Sequence, residues 1–174
     1  MGTTQTLNNR VQVTHSALLH APLTRRVMSL RTIMIRAFES SDMNDVLNIW
    51  LEASIRAHSF VGKEFWESSV QDMREIYIPA SDTYVFSENG TVRGFFSLHD
   101  ESLAAMFVWP EAQGKGIGRQ LMDKAKSLGK KLNLTVYREN EKSIQFYKKC
   151  GFIPVKERAD EHTGHIEILM EYGS

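Results

Sequence analysis

The chain has 174 residues, enough for a single domain with a proper core. Hydrophobic residues make up 42% and charged residues 24%, with a formal net charge of zero, so composition gives no general attraction to nucleic acid and excludes a low-complexity chain. The single cysteine, Cys150, rules out an internal disulfide and a cysteine-rich metal cluster and fits a reducing, cytoplasmic setting, and no apolar run approaches the length of a membrane span.

Residues 1–33 differ from the rest. They hold Arg10, Arg25, Arg26 and Arg31, no Asp or Glu, and scattered apolar residues among Ser, Thr and Asn. Such a leader resembles a mitochondrial transit peptide. The reading preferred here is a start codon placed too early, with Met28 or Met34 as the natural start, and a leader that packs poorly. Residues 34–172 then form the one domain, and the body without its leader carries a net charge of −4.

Ile33 to Phe38 reads as a first strand. Ser40, Ser41, Asp42 and Asp45 suit a helix start, and Met43, Val46, Leu47, Trp50 and Ser54 recur at helical spacing. Residues 57–62 break that pattern as a loop containing His58 and Phe60. A second helix is expected from Lys63 to Tyr77, ended by Pro79. Thr83–Ser87, Val92–Leu98 and Ser102–Trp109 read as three antiparallel strands, the first two joined by Asn89-Gly90, a strong hairpin signal. A helix follows to about Lys130, then a strand at Leu132–Val136 parallel to the Ser102 strand. Glu141–Lys149 reads as a short helix with Gly151 at its C′ position. Phe152–Lys156 and His165–Met170 are two last strands around a turn at residues 160–164.

Between the third meander strand and its helix lies Gln113-Gly114-Lys115-Gly116-Ile117-Gly118-Arg119. A glycine-rich turn that opens a helix exposes backbone N–H groups at the positive end of the helix dipole, which makes an anion site with phosphate as the usual guest. Lys115 and Arg119 add positive charge.

This stretch resembles the (Gln/Arg)-x-x-Gly-x-(Gly/Ala) acyl-CoA signature of the GNAT superfamily of N-acetyltransferases. A second block, Asn140-Glu-Lys-Ser143-Ile-Gln-Phe-Tyr147-Lys-Lys-Cys-Gly-Phe152, resembles the family downstream, and the order of elements is similar from about Met34 to Glu171. The likeness is strongest to the small bacterial branch that includes protein-lysine acetyltransferases. It implies an α/β (α+β) fold: a mixed, mostly antiparallel sheet of about seven strands, helices on both faces, and a splayed parallel strand pair at the acyl-CoA site. It further implies acetyl-CoA as co-substrate, no metal, and direct transfer of an acetyl group to an amine, on a small molecule, a protein lysine or an N-terminus. Monomer and homodimer both remain open, and neither a membrane nor a nucleic-acid partner is implied.

By resemblance, the pyrophosphate sits on the amides of Gly114 to Arg119, including Lys115, Gly116, Ile117 and Gly118, with Gln113 opening the signature. The backbone of Met106, Phe107 and Val108 pairs with the pantetheine arm, as an added strand would. Asn140 hydrogen-bonds that arm, besides serving as a helix N-cap, and Tyr147 protonates the departing thiolate. His58, Phe60 and Tyr77 are candidates for the acceptor cleft. One position departs from the family: Thr135 stands where related protein acetyltransferases often carry a Glu, and Ala104–Trp109 holds no carboxylate either. The group that takes the amine proton is therefore unassigned, with a water chain to His58, Glu101 or bulk solvent as the route considered. The competing readings are a non-catalytic acyl-CoA-binding module and a Rossmann-like nucleotide-cofactor binder. The glycine spacing and the surrounding antiparallel strands disfavour the latter, and no Lys-Ser or Lys-Thr follows for a Walker loop.

Overall fold

The computed structural model describes residues 31–173; the expectation of a poorly packed leader falls, for residues 1–30, outside the described residues. The sheet has seven strands: β1 (Ile33–Ala37), β2 (Asp82–Glu88), β3 (Thr91–His99), β4 (Ser102–Val108), β5 (Leu132–Tyr137), β6 (Ile153–Ala159) and β7 (Ile166–Tyr172). Their spatial order is β1-β2-β3-β4-β5-β7-β6. Every neighbouring pair is antiparallel except β4 and β5. This is the mixed α/β architecture the sequence implies. The sheet already includes part of the proposed leader. Ile33 opposes Glu88, Thr32 exchanges backbone and side-chain hydrogen bonds with Asn89, and Arg31 pairs with Glu88.

Alternation along the strands builds two cores, one on each face. Val85 and Phe95 point to the side of α1 (Met43–Ala57), where Val46, Ile49 and Trp50 are buried. Phe86 and Phe96 point to the other side, against Ile117, Leu121, Met122 and Ala125 of a later helix, α4 (Ile117–Leu128). A Cβ on Gly94 would stand 2.8 Å from the Phe107 carbonyl and 3.2 Å from Leu121, so the bare glycine lets α4 sit close on β3. The β2–β3 turn has φ of 51° at Asn89 and 80° at Gly90, the conformation this dipeptide favours in tight hairpins.

The second helix is not continuous. It divides into α2 (Lys63–Ser68), a single turn α3 (Val70–Asp72) and a π-helical turn at Met73–Tyr77. The hydroxyls of Ser68 and Ser69 both donate to the Phe65 carbonyl, at 2.9 and 2.8 Å, and compete with the helical ladder at that point. α5 (Glu141–Lys149) follows β5, and Cys150 and Gly151 (φ 86°) close it. Among the described residues, no helix is long and apolar enough to cross a membrane.

Candidate active site

β4 and β5 pair only at Ser102 and Asn133, near the start of each strand, and then diverge. The wedge between them exposes the β4 backbone edge and holds two cavities. One, of about 380 Å³, is lined by Met106, Val108, Gln113, Gly114, Gly116, Gly118 and Arg119 on one side and Lys142, Ser143, Phe146 and Tyr147 of α5 on the other. The second, of about 240 Å³, is lined by the β4 residues Leu103–Val108, by Thr135, Val136 and Tyr137 of β5, and by Ala53, Ala57, His58, Gln113, Asn140, Ser143, Tyr147, Asp160 and Glu167. Met106, Val108, Gln113, Ser143 and Tyr147 belong to both, so the cavities meet beside the tyrosine.

The first cavity is built by local sequence. Pro110 starts a short 3₁₀ turn (Pro110–Ala112), and the side-chain amide of Gln113 donates to the Val108 carbonyl at 3.1 Å. Gly114 (φ 74°) and Gly116 (φ 83°) then take the left-handed conformation, and Gly116 forms the N-cap of α4. As at any helix start, the amides of Ile117, Gly118 and Arg119 have no intrahelical acceptor. A Cβ at Gly114 or Gly116 would meet nothing within 4 Å, so open space lies over both glycines. This arrangement can hold a phosphate-bearing group.

The second cavity is polar and titratable. The Asn140 carboxamide is buried; its oxygen accepts from the Ser143 amide at 3.2 Å, capping α5, and its NH₂ faces His58 Nε2 at 3.1 Å. Nε2 is therefore the acceptor. Burial, offset only in part by the Ser54 carbonyl, lowers the His58 pKa to about 4, and the imidazole is neutral at working pH. His58, Phe60, Tyr137 and His165 form an aromatic cluster with ring centroids 4.9–6.2 Å apart. Tyr137 and Thr163 hydroxyls each donate to Asp160 at 2.6 Å, pinning the β6–β7 turn against β5. Tyr147 is half-buried between Phe146 and Phe152, and burial pushes its phenol up to about 12.

Most of the residues singled out from sequence come together here: Met106, Phe107, Val108, Gln113, Gly114, Gly116, Gly118, Arg119, His58, Asn140 and Tyr147 all line the wedge. Phe60 backs its wall through the aromatic cluster. Ile117 is a core residue, able to offer only its backbone amide. Three candidates lie elsewhere. Lys115 lines a separate cleft with Arg31, Glu88 and Glu111, because the turn between two left-handed glycines aims its side chain away. Tyr77 is 54% exposed on the π-helical turn and lines neither cavity; the irregular backbone after Ser69 is what the helical periodicity did not anticipate. Glu101 lies at the far end of β4, in a cleft with Lys131 and Glu171, and does not serve the wedge. Sequence reasoning missed Tyr137, Asp160, Lys142 and Glu167. Lys142 and Ser143 fall within the downstream block and were within reach, whereas Asp160 and Glu167 arrive through strand pairing.

Residues 79–154 match the acetyltransferase (GNAT) domain. The chain is 35% identical over 120 residues to the peptidyl-lysine N-acetyltransferase YiaC of Escherichia coli, covering 68% of this chain and 82% of that protein. It is 29% identical to the peptidyl-lysine N-acetyltransferase YjaB of the same organism over 121 residues, 69% of this chain and 82% of YjaB. The solution structure of apo-YjaB superposes with a TM-score of 0.72 at 26% identity, covering 81% of this chain and 97% of that one. The PaiA N-acetyltransferase of Thermoplasma acidophilum, solved with coenzyme A, has a TM-score of 0.68 at 20% identity over 80% of this chain and 98% of that one, a likeness of fold.

Proposed function

Because the chain belongs to the GNAT acetyltransferase family, we propose that it moves an acetyl group from acetyl-CoA to a primary amine by direct attack in a ternary complex, with Tyr147 as general acid. The observation that carries this is the junction of the two cavities at Tyr147. Acetyl-CoA occupies the larger cavity, its pyrophosphate on the Gly114–Arg119 turn and its pantetheine arm along the open edge of Met106–Val108. The acceptor enters through the smaller one, lined by His58, Tyr137 and Asp160. The two peptidyl-lysine acetyltransferases among the relatives favour a protein lysine as acceptor, and the carboxylates of the smaller cavity suit a cation approaching from solvent.

The amine nitrogen attacks the thioester carbonyl, and the tetrahedral intermediate collapses by breaking the C–S bond. The thiolate takes the Tyr147 phenol proton. With a pKa of about 12 that phenol is fully protonated through the neutral range. A CoA thiol is more acidic, at about 8.5 by analogy with cysteine, so transfer from the phenol to sulfur is uphill by itself and is driven by the acidic N–H of the tetrahedral intermediate, whose proton replaces, directly or through water, the one the phenol gives. Asn140 holds the start of α5 through its cap and thereby fixes where Tyr147 stands.

Tyr147→Phe keeps the ring packed on Phe146 and Phe152 and removes the hydroxyl alone. General-acid help is commonly worth about 10²–10⁴-fold; since water from an open cleft replaces part of it, kcat should fall at least about tenfold. Acetyl-CoA affinity and Tm should stay close to parental. Parental single-turnover rates in the variant would remove Tyr147 from the chemistry. Acetyl-CoA binding without release of thiol for any amine tested would favour the non-catalytic module.

A further inference from the structure

We propose that Glu167, on β7, takes the amine proton in place of the carboxylate that β5 lacks at Thr135. This rests on the acetyltransferase reading of the site. β5 and β7 are antiparallel, with Thr135 opposite Leu169 and Tyr137 opposite Glu167. Directly opposed residues share a face, so Thr135, Tyr137, Leu169 and Glu167 all lie on the face that opens to the smaller cavity. Leu134, Val136, Ile168 and Met170 fill the core on the other face. Glu167 thus stands diagonally across one strand from Thr135, a separation of about 7–8 Å between such backbone positions, which a Glu side chain spans. Both residues line the same cavity as Tyr147.

The other titratable groups lining that cavity are committed elsewhere. His58 presents Nε2 to the Asn140 amide and is a weak base. Asp160 accepts from Tyr137, Thr163 and the His162 amide, and these bonds outweigh burial to hold its carboxyl below the usual range. The Tyr137 phenol is pushed up to about 12, by burial and by Asp160, and keeps its proton. Glu167 accepts one bond, to Oε1 from Arg158 Nε at 2.6 Å, and its side chain is only 13% exposed. Arg158 on β6, Asp160 just after β6, Tyr137 on β5 and His165 just before β7, beside Tyr137, are among the charged and titratable groups of this region. Arg158 engages Oε1, while Oε2 has no such bond among the described residues.

The step balances simply. The acceptor enters as an ammonium ion. One proton passes, directly or through one water, to the Glu167 carboxylate, leaving a neutral amine and a carboxylic acid. The amine attacks, the C–N bond forms and the C–S bond breaks. The second nitrogen proton compensates the one that Tyr147 gives to sulfur, and Glu167 returns its proton to solvent, which is the net proton released.

The test uses the full chain, acetyl-CoA at saturation and a lysine peptide, with rates followed from about pH 6.5 to 9.5, below the free lysine pKa of about 10.4. Glu167→Gln should lower kcat/KM for the peptide by about 10–100-fold at neutral pH, at or below the low end of the ~10²–10⁴-fold usual for a general base, because water in the open cleft replaces part of its help. The deficit should shrink as pH rises and more amine is already neutral, with acetyl-CoA affinity unchanged. Arg158→Gln breaks the same ion pair but leaves the carboxylate, and should keep most of the rate. Thr135→Glu placed in the Glu167→Gln background should restore activity by returning a carboxylate to the same face. Glu167→Gln at the parental rate, or equal pH-independent losses in the Glu167 and Arg158 variants without rescue, would overturn the assignment. An inactive parent would instead count against the acetyltransferase reading itself.

Discussion

His58 shows how one buried side chain ties stability to pH. It is neutral in the fold, its pKa lowered by burial to about 4, whereas in the unfolded chain an imidazole titrates near 6.5. Its contribution to stability is therefore complete above pH ~6.5 and is lost as pH falls from there toward ~4, where the unfolded state binds a proton that the folded state refuses. Asp42 and Asp160 have depressed pKa values and add their own losses at lower pH, below the ordinary carboxylate range of about 3.9. Asp42 does so chiefly because Arg36 grips both its oxygens, at 2.6 and 2.8 Å. In His58→Gln, which retains an acceptor for the Asn140 amide, unfolding free energy measured by urea titration should vary less between pH 6.5 and 4 than in the parent. An identical slope in both proteins would show that His58 titrates alike folded and unfolded. A histidine neutral at working pH also leaves the cavity without a positive charge on that wall, which suits entry of an ammonium ion.

At the scale of elements, the turn into α4 carries the coenzyme part of the account. Gly116 sits at φ 83° with open space where a side chain would project, into the larger cavity. Gly118 is helical, lines the same cavity, and would place a Cβ in ordinary contact with Phe146 at 3.5 Å. Gly116→Val should weaken coenzyme A binding at least tenfold by calorimetry, and the left-handed backbone should cost about 1–2 kcal/mol of stability. Gly118→Ala should bind coenzyme A nearly as the parent does, with a helix slightly more stable, by up to about 1 kcal/mol. Parental affinity in Gly116→Val would mean that the phosphates lie elsewhere. This element was legible because its signals are local: Pro110, alternate glycines and a periodic apolar face follow one another along the chain. The meander and the Asn89-Gly90 hairpin were legible for the same reason. The break after Ser68 was not, because serine hydroxyls that turn back on the Phe65 carbonyl override a periodicity that continues past them. Nor were Asp160 and Glu167. They reach the cavity through the β5–β7–β6 register, which brings together residues about thirty positions apart with no mark in the sequence between them.

For the molecule as a whole, the sheet is the device that matters. Its two faces are packed independently, by α1 and its neighbours on one side and α4 and α5 on the other. That leaves the divergence of β4 and β5 after a single pairing position as the feature that opens the centre of the fold. The open strand edge, the glycine turn and the carboxylates of Asp160 and Glu167 then border, from different elements, the two cavities that meet at Tyr147. A nucleotide binder would need the first two of these and not the third. The decisive measurement is product analysis by mass spectrometry after the full chain is incubated with acetyl-CoA and a panel of lysine peptides and small amines, with free CoA thiol quantified in the same mixture. The account predicts that at least one amine gains one acetyl group, in equal amount to the thiol released and only when both substrates are present. Acetyl-CoA binding with no acetylated amine and no thiol above the protein-free control would contradict it.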